Sequence, residues 1–213
     1  MPTMSKLLQD VAAAVRANAD ELTELDRAIG DGDHGANLRR GFDAVAEIAP
    51  ELDTMPPGQA LQKAGMTLVM KVGGASGPLY GSLLMGIGKS LAGAPAAGAG
   101  TPSPSEIADA LQAGVEMVRK RGKSDTGDKT MLEVLVPVCG ALRDGLSQSL
   151  PTPRLLDGLS TAAARGLEST RALQARKGRA SFLAERSVGH LDPGARSSQI
   201  VVDAACASLR GES

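Results

Sequence analysis

The feature that most constrains this chain is the spacing of its apolar residues. From Met4 to Ile29, Leu7, Leu8, Val11, Val15, Leu22, Leu25 and Ile29 keep to one face of a 3.6-residue period, and Gly30 stops the pattern. Similar patterns run from Gly35 to Ile48, Gly58 to Val72, Pro78 to Leu91, Pro104 to Arg121, Lys129 to Leu146, Arg154 to Ala175 and Ala195 to Leu209. The spacing therefore predicts an all-α chain of eight helices. The run Val134 to Val138 is the best candidate for a strand. Pro137 would remove a ladder donor there, and the flanking residues keep helical spacing, so a buried helix is expected, with Pro137 marking where it would kink. No repeat period is visible.

A chain of 213 residues can bury one substantial core, so residues 1–213 are read as a single domain. The stretch Ala92 to Pro104 is almost entirely Gly, Ala and Pro and reads as a flexible connection. It ends at Ser103-Pro104-Ser105-Glu106, which has the form of an N-cap, a Pro at N1 and a capping box.

The formal net charge is -1, so no global field draws the chain to nucleic acid or to an anionic membrane. There is no Trp, one Tyr and two Phe, too few for the stacking surfaces of single-strand binders. Leu, Ala, Val and Met must fill the core. Cys139 and Cys206 stand alone in apolar patterns and are expected to be buried thiols in a reducing, cytoplasmic setting. Asp10, Asp20 and Glu21 are unlike a signal or transit peptide, and no apolar run is long enough for a membrane span.

The chemistry concentrates in loops. Leu25 to Gly35, L-D-R-A-I-G-D-G-D-H-G, places Asp26 on a last helical turn and Asp31 and Asp33 on alternate positions of a tight loop. An anion at a helix C-terminus is disfavoured by the dipole, so a cation is expected nearby. Oxygen ligands select Mg²⁺ or Ca²⁺. An EF-hand is excluded, because the place of its bidentate Glu is taken by Asn37 or Phe42. On spacing alone, Asp-Gly-Asp more commonly reads as a turn with Asp33 capping the next helix. Gly73-Gly74-Ala75-Ser76-Gly77-Pro78 opens a helix with small residues, offering backbone N–H groups to an anion or simply a glycine-rich start. Gly122 to Thr130 has the outline of a phosphate-binding loop, but Asp128 precedes Lys129 and no strand leads in, so a P-loop is rejected while a nucleotide-contacting helix start stays open. Arg176-Lys177-Gly178-Arg179 is either a solvated basic run or a source of positive charge for a phosphoryl group.

Taken together, L-D-x-x-I-G-D-G-D-H-G at Leu25 to Gly35, G-G-A-S-G-P-L-Y-G at Gly73 to Gly81, G-D-K-T-M-L at Gly127 to Leu132 and D-P-G-A at Asp192 to Ala195 resemble one family. It is that of the nucleotide-binding L subunit of bacterial dihydroxyacetone kinase, which is also the C-terminal domain of fused ATP-dependent kinases. The resemblance implies an eight-helix barrel with the nucleotide site at one end. It implies that Asp26, Asp31 and Asp33 bind two Mg²⁺ ions that bridge the phosphates of ADP or ATP. It further implies that His34, Gly35, Ala36, Asn37, Ala75 and Ser76 follow the phosphates, and that Gly122, Thr130 and Met131 lie near the adenosine. Arg179 and the turn Asp192-Pro193-Gly194 would complete the pocket, with Arg179 meeting the transferring phosphoryl group.

Stand-alone members of the family resemble a coenzyme carrier. Bound ADP receives phosphate from a phosphohistidine protein of the phosphotransferase system and passes it to dihydroxyacetone on a partner K subunit. A chain of this length fits that arrangement, with a homodimer left open. The alternatives are an ATP-exchanging kinase subunit for another small ketose or polyol, and a non-enzymatic nucleotide-binding regulatory module.

Overall fold

The computed structural model describes residues 2–92 and 102–211, so most of the predicted Ala92 to Pro104 connection lies outside the described residues. Among the described residues nine α-helices form: α1 (Met4–Ala17), α2 (Ala19–Ile29), α3 (His34–Leu52), α4 (Pro57–Lys71), α5 (Ser76–Ser90), α6 (Pro104–Gly122), α7 (Leu132–Ser147), α8 (Thr152–Ser169) and α9 (Pro193–Arg210). Two 3₁₀ segments, Thr170–Ala172 and Arg179–Ser187, lie between α8 and α9. No strand occurs among the described residues.

The first predicted helix is two. Asn18 ends α1 by turning its side-chain amide back to the Ala14 carbonyl at 2.8 Å, and α2 starts afresh at Ala19. The apolar face continues across the break, since Val15, Ala19 and Leu22 are all buried. Periodicity alone therefore could not reveal it. Conversely, the run to Ala175 stops early, with α8 ending at Ser169. The predicted capping box is formed, Ser103 Oγ accepting from Glu106 N at 3.2 Å while the Glu106 carboxylate accepts from Ser103 N at 2.7 Å.

Eight of the nine helices close a ring in which neighbours pack in the order α1, α3, α4, α5, α6, α7, α8, α9 and back to α1, while α2 lies against α3 and α9. The interior is aliphatic, as the composition requires: Val15, Leu22, Leu38, Leu52, Leu68, Val115 and Leu132 are essentially sealed, and Phe42 and Tyr80 make one edge-on contact at 5.7 Å. Both cysteines are buried and free.

Close helix crossings use small residues. Side chains at Gly65 or Gly81 would each meet the other's backbone carbonyl, at 2.8 and 2.7 Å, so α4 and α5 approach through their glycines. Helix α7 runs through Pro137, whose ring is exposed. The missing N–H leaves the Glu133 carbonyl free, and that carbonyl lies where a Cβ on Gly166 of α8 would sit, 2.1 Å away.

Because successive ring helices run up and down, the connections 30–33, 72–75, 123–131 and 170–192 emerge at one end, where all four line a common cavity. None of the described helices is long and apolar enough to cross a membrane.

Candidate functional site

The first of these loops folds around Asp26. Its Oδ2 accepts from the backbone N–H of Asp33 at 2.9 Å and of His34 at 3.2 Å, so the carboxylate at the end of α2 also satisfies the start of α3. Gly30 makes room for it, since a Cβ there would stand 2.1 Å from Asp26 Oδ1. Gly32 takes the left-handed conformation, with φ of 76°, and turns the chain so that Asp31 and Asp33 face Asp26. One oxygen from each of the three carboxylates lies within 4.8 Å of the others. That span is close to the roughly 4.2 Å across an octahedral Mg²⁺ shell with bonds of about 2.1 Å, so the donor set suits a small hard cation. Asp33 occupies the N-cap position of α3, yet its side chain caps nothing there. It is thereby left to point into the cavity.

Behind the acidic loop a buried polar chain fixes the floor. Ser197 Oγ donates to the Gly194 carbonyl at 3.0 Å and so receives the proton of His34 Nε2, also at 3.0 Å. His34 Nδ1 then accepts from Ser76 Oγ at 2.9 Å. Tyr80 O–H reaches Ser197 at 2.8 Å and Ser198 at 3.1 Å. Burial lowers the pKa of His34 against the opposing pull of Asp26 and Asp33, which keeps the ring neutral, and burial lifts Tyr80 to about 12. The proton of Ser76 is thus engaged with His34. What α5 offers the cavity is its N-terminal backbone, which no side chain caps.

The third loop is held by Glu133, which accepts from Gly127 N at 2.9 Å and Thr130 N at 2.8 Å. Burial raises the pKa of Glu133 while these N–H groups oppose the rise. Asp192 caps α9 by accepting from Ala195 N at 2.7 Å, and burial pushes its carboxyl up to about 7. The connection 170–192 overhangs the mouth and carries Lys177, Arg179 and Phe182. Arg179 is exposed and reaches Asp31 with its Nε at 3.1 Å.

The cavity so enclosed has a volume of about 780 Å³. It brings together Asp26, Asp31, Asp33, His34, Ala75, Ser76, Gly122, Thr130, Met131, Arg179, Asp192, Pro193 and Gly194. Its lining is mixed. The three aspartates and the N-terminus of α5 share it with the apolar side chains of Pro78, Leu79, Val118 and Met131.

Gly35, Ala36 and Asn37 do not line the cavity. Gly35 serves a helix crossing instead, because a Cβ there would lie 1.9 Å from the Ala19 carbonyl. Asn37 is buried and accepts from Arg40 at 2.9 Å. Gly35→Ala is accordingly expected to cost about 2 to 3 kcal/mol of stability through forced displacement of α2 from α3. Urea denaturation checks it, and a midpoint equal to that of the unaltered chain would contradict the crossing.

Residues that spacing did not single out for the site include Tyr80, Ser197 and Ser198 beneath it, Glu133 beside it and Arg121 and Phe182 on its wall. Only Glu133 had a signal, since Thr130-Met131-Leu132-Glu133 has the form of a capping box.

This chain is 43% identical over 179 residues to an Escherichia coli K12 protein, "PEP-dependent dihydroxyacetone kinase, ADP-binding subunit DhaL", covering 84% of this chain and 83% of the relative. It is 42% identical over 197 residues to the ADP-binding subunit DhaL of PEP-dependent dihydroxyacetone kinase 1 from Listeria innocua, covering 92% and 91%. The solved dihydroxyacetone kinase of C. freundii superposes with a TM-score of 0.72 at 25% identity over 96% of this chain, which spans only 34% of that longer protein. The DAK2 domain matches residues 28–207, and with these relatives it establishes that the chain belongs to the DAK2 domain family.

Proposed function

We propose that this chain is the ADP-binding, phosphoryl-carrying subunit of a PEP-dependent dihydroxyacetone kinase. The observation that carries the reading is one cavity lined both by three carboxylates within 4.8 Å of one another and by apolar Pro78, Leu79, Val118 and Met131. That combination suits a magnesium nucleotide, with the purine against the apolar side chains and the diphosphate at the aspartates. The relatives named as ADP-binding subunits supply the nucleotide, at 43% and 42% identity.

In this reading Asp26, Asp31 and Asp33 hold two Mg²⁺ ions, which supply charge neutralisation to the phosphates when bound. The uncapped N–H groups of α5 meet a phosphate oxygen, and neutral His34 keeps Ser76 oriented. When bound, ADP would supply the phosphoryl acceptor and then the donor in a relay from a phosphohistidine protein to dihydroxyacetone on a partner K subunit, while the aspartates would hold its phosphates through the metal ions and Arg179 would meet the group in transfer. The chain provides positioning and charge, the main requirements of phosphoryl transfer, and no nucleophile of its own.

Two measurements test the proposal. If Mg²⁺ and ADP bind only the folded chain, a hundredfold excess over Kd stabilises it by about 2.7 kcal/mol, seen as a rise in Tm that EDTA abolishes. A Tm indifferent to Mg²⁺ and ADP would sink the site. Native mass spectrometry of gently purified protein is expected to find ADP retained. A site that is empty and exchanges ATP freely would favour an ATP-dependent kinase subunit, in line with relatives such as an L-erythrulose kinase at 32% identity over 200 residues, of which this chain spans 33%.

A further inference from the structure

Lys129 stands one position beyond where a phosphate-binding loop would present its lysine, and its side chain is directed to backbone carbonyls. It adopts a left-handed backbone with φ of 61° and is 1% exposed. Its Nζ donates to four backbone carbonyls: Thr170 at 2.8 Å, Leu173 at 3.1 Å, Ser187 at 2.8 Å and His190 at 2.6 Å. An ammonium has three N–H groups and no lone pair, so all of its protons are used and one is shared. A neutral amine would turn a lone pair on a carbonyl oxygen, so the cage demands a cation.

The four carbonyls come from the two ends of the connection 170–192. Between them lie Lys177 to Phe182, which overhang the cavity and include Arg179. Apolar anchoring of this overhang is slight, a small cluster of Ala175, Ala180 and Ile29 with Leu183 beside it. Polar ties include Arg176 N to the Asp128 carbonyl at 3.0 Å, Gly189 N to the Arg171 carbonyl at 2.8 Å, Ala175 N to Ser187 Oγ at 2.9 Å, Asp192 N to Thr170 Oγ1 at 3.0 Å and the exposed Arg179–Asp31 pair at 3.1 Å. Lys129 itself stands on the loop that Glu133 fastens to α7. One side chain therefore joins the rigid barrel to both ends of the overhang.

We propose that Lys129 is the positioning residue of this cap, clamping its two ends through a carbonyl cage so that Arg179 is held beside the aspartates of the cavity. The part that concerns transfer rests on the function proposed above; the clamp itself does not. Removing the side chain leaves four carbonyl oxygens around a space of ammonium size. A free ammonium ion would refill that space in Lys129→Ala but not in Lys129→Met, whose longer side chain occupies it.

The test compares hydrogen exchange and single-turnover transfer in the unaltered chain, Lys129→Ala and Lys129→Met, each in ammonium chloride and in tetramethylammonium chloride at equal ionic strength. In both variants exchange in 170–192 is expected to rise at least about tenfold while α3 to α7 stay protected. Transfer falls about tenfold or more, while ADP affinity changes by less than about threefold. Ammonium restores the cap and the rate in Lys129→Ala alone, and tetramethylammonium restores neither.

Unchanged exchange in the cap overturns the proposal. So does loosening that spreads through the whole barrel, a loosened cap with full transfer, or a Lys129→Ala chain that ammonium neither refolds nor tightens. If the unaltered chain transfers no phosphoryl group at all, the proposed function fails, and the exchange and ammonium results still decide the clamp.

Discussion

Asp31→Ala and Asp33→Ala are each expected to weaken magnesium-dependent ADP binding by about a hundredfold or more while leaving helical content unchanged. Loss of a residue that merely orients a metal ligand costs about 10- to 100-fold, so loss of a ligand sets that range as a floor. Both side chains are exposed and lie outside the helices, and Asp33 makes no capping bond, so neither supports the fold. Asp26→Ala is a poorer test because Asp26 also binds the backbone of Asp33 and His34. Calorimetric titration with ADP and Mg²⁺, beside circular dichroism, checks the pair. Affinity unchanged in both variants would remove the metal from the acidic loop.

The acidic loop was legible because its chemistry is local. Asp26, Gly30, Asp31, Gly32 and Asp33 lie within eight positions, and the conformations they need are those that Gly and Asp favour. The same holds for the start of α6, where Ser103, Pro104 and Glu106 form the caps their spacing announces. The helical class was legible from periodicity for the same reason. Spacing could not expose the break at Asn18, where apolar residues continue on both sides and neither Gly nor Pro marks the junction.

What spacing could not show was the partner of each polar side chain across the barrel. Tyr80 meets Ser197 from 117 positions away, and His34 meets the same hydroxyl from 163. Lys129 is the sharpest case. Its sequence context, once a phosphate-binding loop is rejected, assigned it no partner, and its neighbours are carbonyls 41 to 61 positions downstream. Asn37, which the family resemblance put in the phosphate set, is not among the residues that line the cavity, although its amide lies beside Gly73 and Gly74 at the rim.

Arg179→Ala is expected to lower phosphoryl transfer on the order of 10²- to 10³-fold, somewhat less than the loss of a positioned arginine where metals share less of the charge. ADP affinity should change by less than about threefold, because Mg²⁺ already neutralises most of the ground-state charge. The guanidinium now pairs with Asp31, but that pair is exposed on both sides, 71% and 41%, and such pairs contribute only about 0 to 1 kcal/mol. Little therefore holds Arg179 away from an incoming phosphoryl group. When the third phosphoryl is in flight, its equatorial oxygens carry charge that the diphosphate does not, and a planar fork of donors can meet two of them at once. Lys177, on the same overhang, offers only a point charge, so Arg179→Lys should recover a fraction of the rate rather than all of it. Single-turnover transfer with the cognate donor and acceptor, run beside ADP titration, separates the outcomes. Equal losses in affinity and rate would make Arg179 a binder of nucleotide in both states, and no loss in either would return it to the solvated surface.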